Sequence, residues 1–115
     1  MKAYLFSGKE DEIPHDAVLI NMEKVNSMEE LELAYLLAQK SFKNKKNIAK
    51  KFKYEFMLWL SGKTDISSAI NYFKTPGKQK ILILFKGQMK LKPAKLEKTA
   101  ETLDIERISL SRIKN

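Results

Sequence analysis

Ser61-Gly-Lys-Thr64 has the residue types that close a phosphate-cradling loop, where backbone N–H groups and a lysine hold phosphates and a hydroxyl reaches a metal ion. That chemistry also needs a glycine at residue 57 and a strand leading in. Methionine stands at 57, and an apolar helical pattern precedes the turn. Gly62 and Asp65 therefore read as the stop of one helix and the cap of the next. His15 is the single histidine and sits beside Asp16 in a polar, proline-containing stretch, a surface position. Without cysteine, and with one loop histidine, neither a Cys/His metal set nor a Ser/His/Asp relay can be drawn. Glu55 lies four residues after Lys51, the spacing of a salt bridge along a helix; a general-base role lacks an acid partner. No catalytic residue, metal or cofactor is expected, and a binding function leads.

The binding chemistry concentrates between residues 43 and 53, which hold six lysines. Asn47 is a candidate cap for a helix over 48–60. Lys45 and Lys46 precede it, and Lys50 and Lys51 follow, where the helix dipole favours acids. Backbone N–H groups and ammonium groups without a neutralising carboxylate form a phosphate site; the plainer alternative is a solvated lysine-rich loop. A formal charge of +8 and a pI near 9.6 point to a polyanionic partner, nucleic acid before acidic protein or lipid. Apolar runs are too short to span a membrane. The absence of cysteine suits a reducing, cytoplasmic setting.

The elements that must position this loop follow from periodicity. Residues 3–6 and 17–20 read as short strands, joined closely enough to make an antiparallel pair. Ser27-Met-Glu-Glu30 is a capping box opening a helix to about Phe42. In the helix over 48–60, Ile48, Ala49, Phe52, Phe56, Trp59 and Leu60 share one stripe. Trp59 and Phe56 are core there in preference to base-stacking platforms. Tyr54, Met57 and Leu58 form a second face that needs a helix or another protein against it. Asp65 caps a third helix containing Ile66, Ala69, Ile70 and Phe73, ended by Thr75-Pro-Gly77. Ile81–Phe85 lacks alternation and reads as a central strand. Pro93 begins a fourth helix with Leu96, Ala100 and Leu103 inward. Ile108–Arg112 alternates like an edge strand. The expected architecture is a single α/β domain over residues 1–115, a small sheet of roughly four strands with about four helices packed against it.

The stretch Asn47-Ile-Ala-Lys-Lys-Phe-Lys-Tyr-Glu-Phe-Met-Leu-Trp-Leu-Ser-Gly-Lys-Thr-Asp-Ile-Ser-Ser-Ala-Ile70 resembles the small non-catalytic subunit of the KEOPS (EKC) complex, the one that binds its atypical protein kinase. Ala34-Tyr-Leu-Leu-Ala-Gln-Lys40, Ile81–Phe85 and Ile105–Arg112 extend the similarity over most of the chain. The resemblance implies an archaeal-type, non-catalytic subunit of the machinery for threonylcarbamoyladenosine modification of tRNA. Such a subunit docks on the kinase and grips the single-stranded 3′ CCA end of tRNA. Carried onto this chain, tRNA contact falls on Asn47, Ile48, Ala49, Lys50, Lys51 and Lys63, with added attraction from Lys43, Lys45 and Lys46. Kinase docking falls on Leu33, Leu36 and Leu58. Two departures from the family are the short connection between the first two strands and the end of the chain at Asn115, where longer members carry an extension implicated in kinase regulation.

Overall fold

A five-residue strand without polar alternation, Lys80–Leu84 (β3), forms the centre of the sheet. In the computed structural model, which describes residues 1–8, 13–74, 80–96 and 101–112, β1 (Lys2–Phe6) and β2 (Val18–Asn21) flank it. Both pair antiparallel to it, with Lys2 opposite Leu84 and Phe6 opposite Lys80 on one side, and Val18 opposite Ile83 and Asn21 opposite Lys80 on the other. The first two strands are therefore parallel neighbours of a common partner, not the antiparallel pair expected from their short connection. Successive side chains face opposite ways along a strand. Ala3, Val18, Ile20, Ile81 and Ile83 enter the core shared with the helices. Tyr4, Phe6, Leu82 and Leu84 face the other side, closed by Ile13, Ala17, Met89 and Leu91. Burial on both faces explains the unbroken apolar run of β3.

The capping box forms as read. The Ser27 hydroxyl accepts the Glu30 N–H, and Glu30 Oε2 accepts the Ser27 N–H at 2.8 Å, opening α1 (Met28–Lys43). Helix α2 (Phe52–Ser61) is buried from Glu55 to Ser61, with Phe56, Leu58 and Leu60 fully enclosed. Its second apolar face is thus covered within the fold, where α1, α3 (Ile66–Phe73) and α4 (Thr102–Ser109) pack around it. Ala34 and Ala38 are buried without exposure on α1 and keep that helix close to the core. Asp65 caps α3 by accepting the Ser68 N–H at 2.8 Å. Gly62 ends α2 at φ 74, the left-handed conformation that favours glycine. Ile70 stands out from its α3 stripe, 40% exposed. The expected stop at Thr75–Gly77 lies outside the described residues.

Two C-terminal expectations are corrected. Pro93 does not start a helix. It bridges to Tyr4 along the free edge of β1, with the Leu5 N–H donating to Lys92 O and the Ala94 N–H to Ala3 O. A residue without an N–H fits a sheet edge as well as a first helical turn, and the edge carbonyl and amide of β1 decide it. Leu103 is 75% exposed, and Ala100 lies outside the described residues. Ile108–Arg112 is not a strand: α4 runs to Ser109 and a turn follows. Ile108 alone of its apolar pair is buried, and Arg107 and Arg112 reach carboxylates on two other helices. Those tertiary ion pairs are invisible to an alternation pattern. The sheet accordingly has three strands among the described residues.

Candidate nucleic-acid interface

The lysine-rich connection begins where α1 ends. Lys45 adopts φ 56, its N–H donates to Phe42 O, and the Lys46 N–H donates to Ser41 O at 2.8 Å. This is a Schellman closure with lysine at the position usually given to glycine. A side chain there costs about 1 kcal/mol or more. The helix is stopped, and the chain turns outward with Lys43, Lys45, Lys46, Lys50 and Lys51 all exposed.

The next helix starts later than its pattern suggests. Lys51, not Asn47, is the N-cap residue, and 48–51 form bends before Phe52. Asn47 instead turns inward on its own loop, Nδ2 donating to Ala49 O at 2.8 Å. The cause lies one turn into α2. Glu55 is fully buried, and its Oε1 accepts the backbone N–H groups of both Ile48 and Ala49 at 3.0 Å. Its Oε2 accepts the Ser41 hydroxyl at 2.6 Å and Arg112 Nη1 at 2.7 Å. The anion that these backbone donors were expected to receive from a ligand is supplied by the protein itself. Glu55 pairs with Arg112, not along the helix with Lys51.

Burial pushes the Glu55 carboxyl up, and the hydrogen bonds from Arg112, Ser41 and the Ala49 N–H more than reverse it, leaving the group below its ordinary value. Glu55 is therefore a charged clamp at neutral pH. It ties the end of α1, the lysine loop, α2 and the segment after α4 to one point. Arg112 also lies over the Trp59 ring, 4.0 Å from its centroid, while Trp59 Nε1 donates to Ser41 Oγ at 3.4 Å. With Arg112 on its face, Trp59 is core, as is Phe56.

The expected contact residues divide into groups. Lys43 is the last residue of α1, and beside it Lys45, Lys46, Lys50 and Lys51 share one exposed loop. Ala49 is buried within it, and Ile48 is 49% exposed rather than in the core stripe. Lys63 sits apart, beyond the far end of α2, which at 10 residues places it about 15 Å along the helix. There its ammonium lies 5.6 Å from the Tyr72 ring centroid. In the Ser-Gly-Lys turn the Ser61 hydroxyl donates to Leu58 O and accepts the Lys63 N–H, a helix stop. Of the docking leucines, Leu36 is 60% exposed, Leu33 is half-buried, and Leu58 is enclosed in the core. Arg112 and Ser41, which hold the loop in place, were not singled out by the sequence; Glu55 as the single acid within the lysine-rich and apolar stretch 43–60 was the available signal.

No protein-family model matches this sequence, and no curated protein is significantly similar to it.

Proposed function

We propose that the chain is a non-catalytic, tRNA-binding subunit of a KEOPS-type complex, contacting the 3′ CCA end of tRNA and docking on the complex's kinase. The resemblance over Asn47–Ile70 supplies the identity of these partners. The observation that carries the binding half is the exposed run from Lys43 at the end of α1 through the loop with Lys45, Lys46, Lys50 and Lys51, anchored from below by the buried Glu55. Five ammonium groups, one at the end of α1 and four on the anchored loop, attract phosphates with little ordering cost. With the Ile48 and Ala49 amides already used, phosphate contact rests on the lysines rather than on a helix terminus. The docking half rests on α1, where Leu36 stands out from a half-buried Leu33.

The test compares binding of tRNA with that of tRNA lacking its CCA end, for the wild type and for the Lys46→Glu/Lys50→Glu variant. The intact tRNA should bind more tightly. The variant should lower affinity and reduce the log–log salt slope by roughly 1.4, about 0.7 per single-strand phosphate contact. Equal affinity for both tRNAs would reduce the reading to general polyanion binding. Kinase co-elution that survives the charge reversal but is lost on Leu36→Asp would support the α1 docking face.

A further inference from the structure

A cleft of about 450 Å³ opens between α1, the start of α2, the end of β3 and the segment before β2. Its size falls within the roughly 300–1,000 Å³ of small-molecule sites. Tyr35, Phe52 and Phe85 form the apolar part, each half-buried. Tyr35 and Phe85 lie nearly parallel, 6.1 Å between centroids, and Phe52 meets each of them edge-on at 5.7 and 5.1 Å. Lys51, Lys53 and Lys86 line the same cleft, together with Gln39, His15 and Asp16. Three cations against one carboxylate leave a net positive rim around an aromatic floor. Lys53 is held there, its ammonium donating to His15 O at 2.7 Å. An ammonium has three donors, so two of them are not used by that bond.

We infer that this cleft binds a nucleotide, its base against the aromatic rings and its phosphate on the lysines. Both halves of the ligand are needed to use what lines the site. A base offers a flat π surface to rings that are only half-buried, and aromatic stacking of a base is tolerant of base identity. A phosphate offers the counter-charge that one aspartate does not supply to three lysines. Gln39 and Asp16 add an amide and a carboxylate able to hydrogen-bond base edges or ribose hydroxyls. The ligand is either a free nucleotide or an unpaired residue of an RNA strand, and the chemistry recognised is the same. The site shares only Lys51 with the lysine loop and draws on β3 and the segment before β2, so it does not depend on the tRNA reading.

The experiment titrates the full chain with 5′-AMP, with adenosine and with a short unstructured oligoadenylate, following backbone and aromatic resonances by NMR. Saturable shifts should centre on Tyr35, Phe52, Phe85 and Lys86. Adenosine should bind at least about tenfold more weakly than 5′-AMP, the loss expected on removing a phosphate contacted by charged groups. Lys86→Glu, at an exposed position, should weaken 5′-AMP binding by a similar factor, and Gln39→Trp, also exposed, should block the cleft while leaving the dispersed spectrum of the folded chain. Tighter binding of the oligomer than of 5′-AMP, with shifts at the same rings, assigns the site to RNA; equal binding per nucleotide assigns it to the free compound. Shifts confined to Lys43–Lys50, or no saturable shift at millimolar nucleotide, overturn the inference. Because Lys46→Glu/Lys50→Glu leaves this cleft untouched, loss of tRNA binding in that variant with 5′-AMP binding retained separates the two sites.

Discussion

Arg112 Nη1 donates to Glu55 Oε2 at 2.7 Å, so a side chain after the last helix completes the hydrogen bonding of a buried carboxylate on α2. The other oxygen of that carboxylate holds the Ile48 and Ala49 amides. We expect Glu55→Ala to destabilise the chain by about 3–5 kcal/mol, the range for breaking a buried pair and stranding its partner. Glu55→Gln, which keeps one acceptor oxygen, should cost less. Denaturant unfolding measures both, and hydrogen exchange at Ile48 and Ala49 reports the local part. Unchanged protection of those two amides in the alanine variant would refute the clamp.

The same contacts set a pH dependence. The folded Glu55 carboxyl titrates below its ordinary value of 4.5, so the folded state binds fewer protons than the unfolded chain across that interval. Its contribution is therefore complete above about pH 5 and declines as pH falls below 4.5 through the depressed folded value. Asp104, lowered chiefly by the hydrogen bond from Asn26 Nδ2, acts in the same direction. Stability measured from pH 7 to pH 3 should be shallower in Glu55→Gln than in the wild type. Parallel curves would mean that Glu55 does not contribute.

Lys45→Gly should stabilise the fold by about 1 kcal/mol, because glycine occupies the left-handed conformation without the penalty of a Cβ. The gain corresponds to a rise in Tm of roughly 3–6 °C for a chain of this size. The variant also removes one loop cation, so on the proposed tRNA-binding function its affinity for tRNA should fall while its stability rises. A lower Tm would show that Lys45 makes a compensating contact.

Gly62→Ala should be destabilising by about 2–4 kcal/mol. The residue sits at φ 74, and an added Cβ would lie 2.8 Å from Arg107 Cγ and 2.9 Å from Arg107 O. The backbone oxygen cannot swing aside, so α4 must shift away from the end of α2. The damage should extend to the Arg107–Glu30 ion pair, which spans 3.0 Å. Thermal unfolding of Gly62→Ala against Arg107→Ala tests this: the double variant should lose less than the sum of the two singles.

What could be read from the sequence was what is decided locally. Ser27 with Glu30, Asp65 with Ser68, and Gly62 each use partners within a turn, and the helix ends that they mark are where expected. The apolar run 81–85 showed a strand covered on both sides because period-2 patterning vanishes there. The start of α2 was misplaced because Asn47 has the right type for a cap, while Glu55 competes for the amides that a cap residue would organise. The fourth helix was placed too early, from Pro93, and its end at 108–109 was read as a strand, because its ties, Arg107 to Glu30 and Arg112 to Glu55, join residues far apart in the chain. The aromatic cleft was equally hidden. Tyr35, Phe52 and Phe85 come from three elements and converge only once β3 is inserted beside β2.

That insertion has a consequence for how the chain is made. The strand order β1-β3-β2 puts the last strand synthesised between the two made first. Among the described residues, every pairing between the three strands joins a residue from Lys2–Phe6 or Val18–Asn21 to one from Lys80–Leu84. The outer bridge of Tyr4 to Pro93 forms later still in the chain. While the chain emerges from a ribosome, α1, α2 and α3 are complete before any rung can close. Until β3 is made, β1 and β2 have no partner for the edges that they will turn toward it. A nascent chain arrested before residue 80 would leave those edges unpaired, and unpaired strand edges are prone to misassociation.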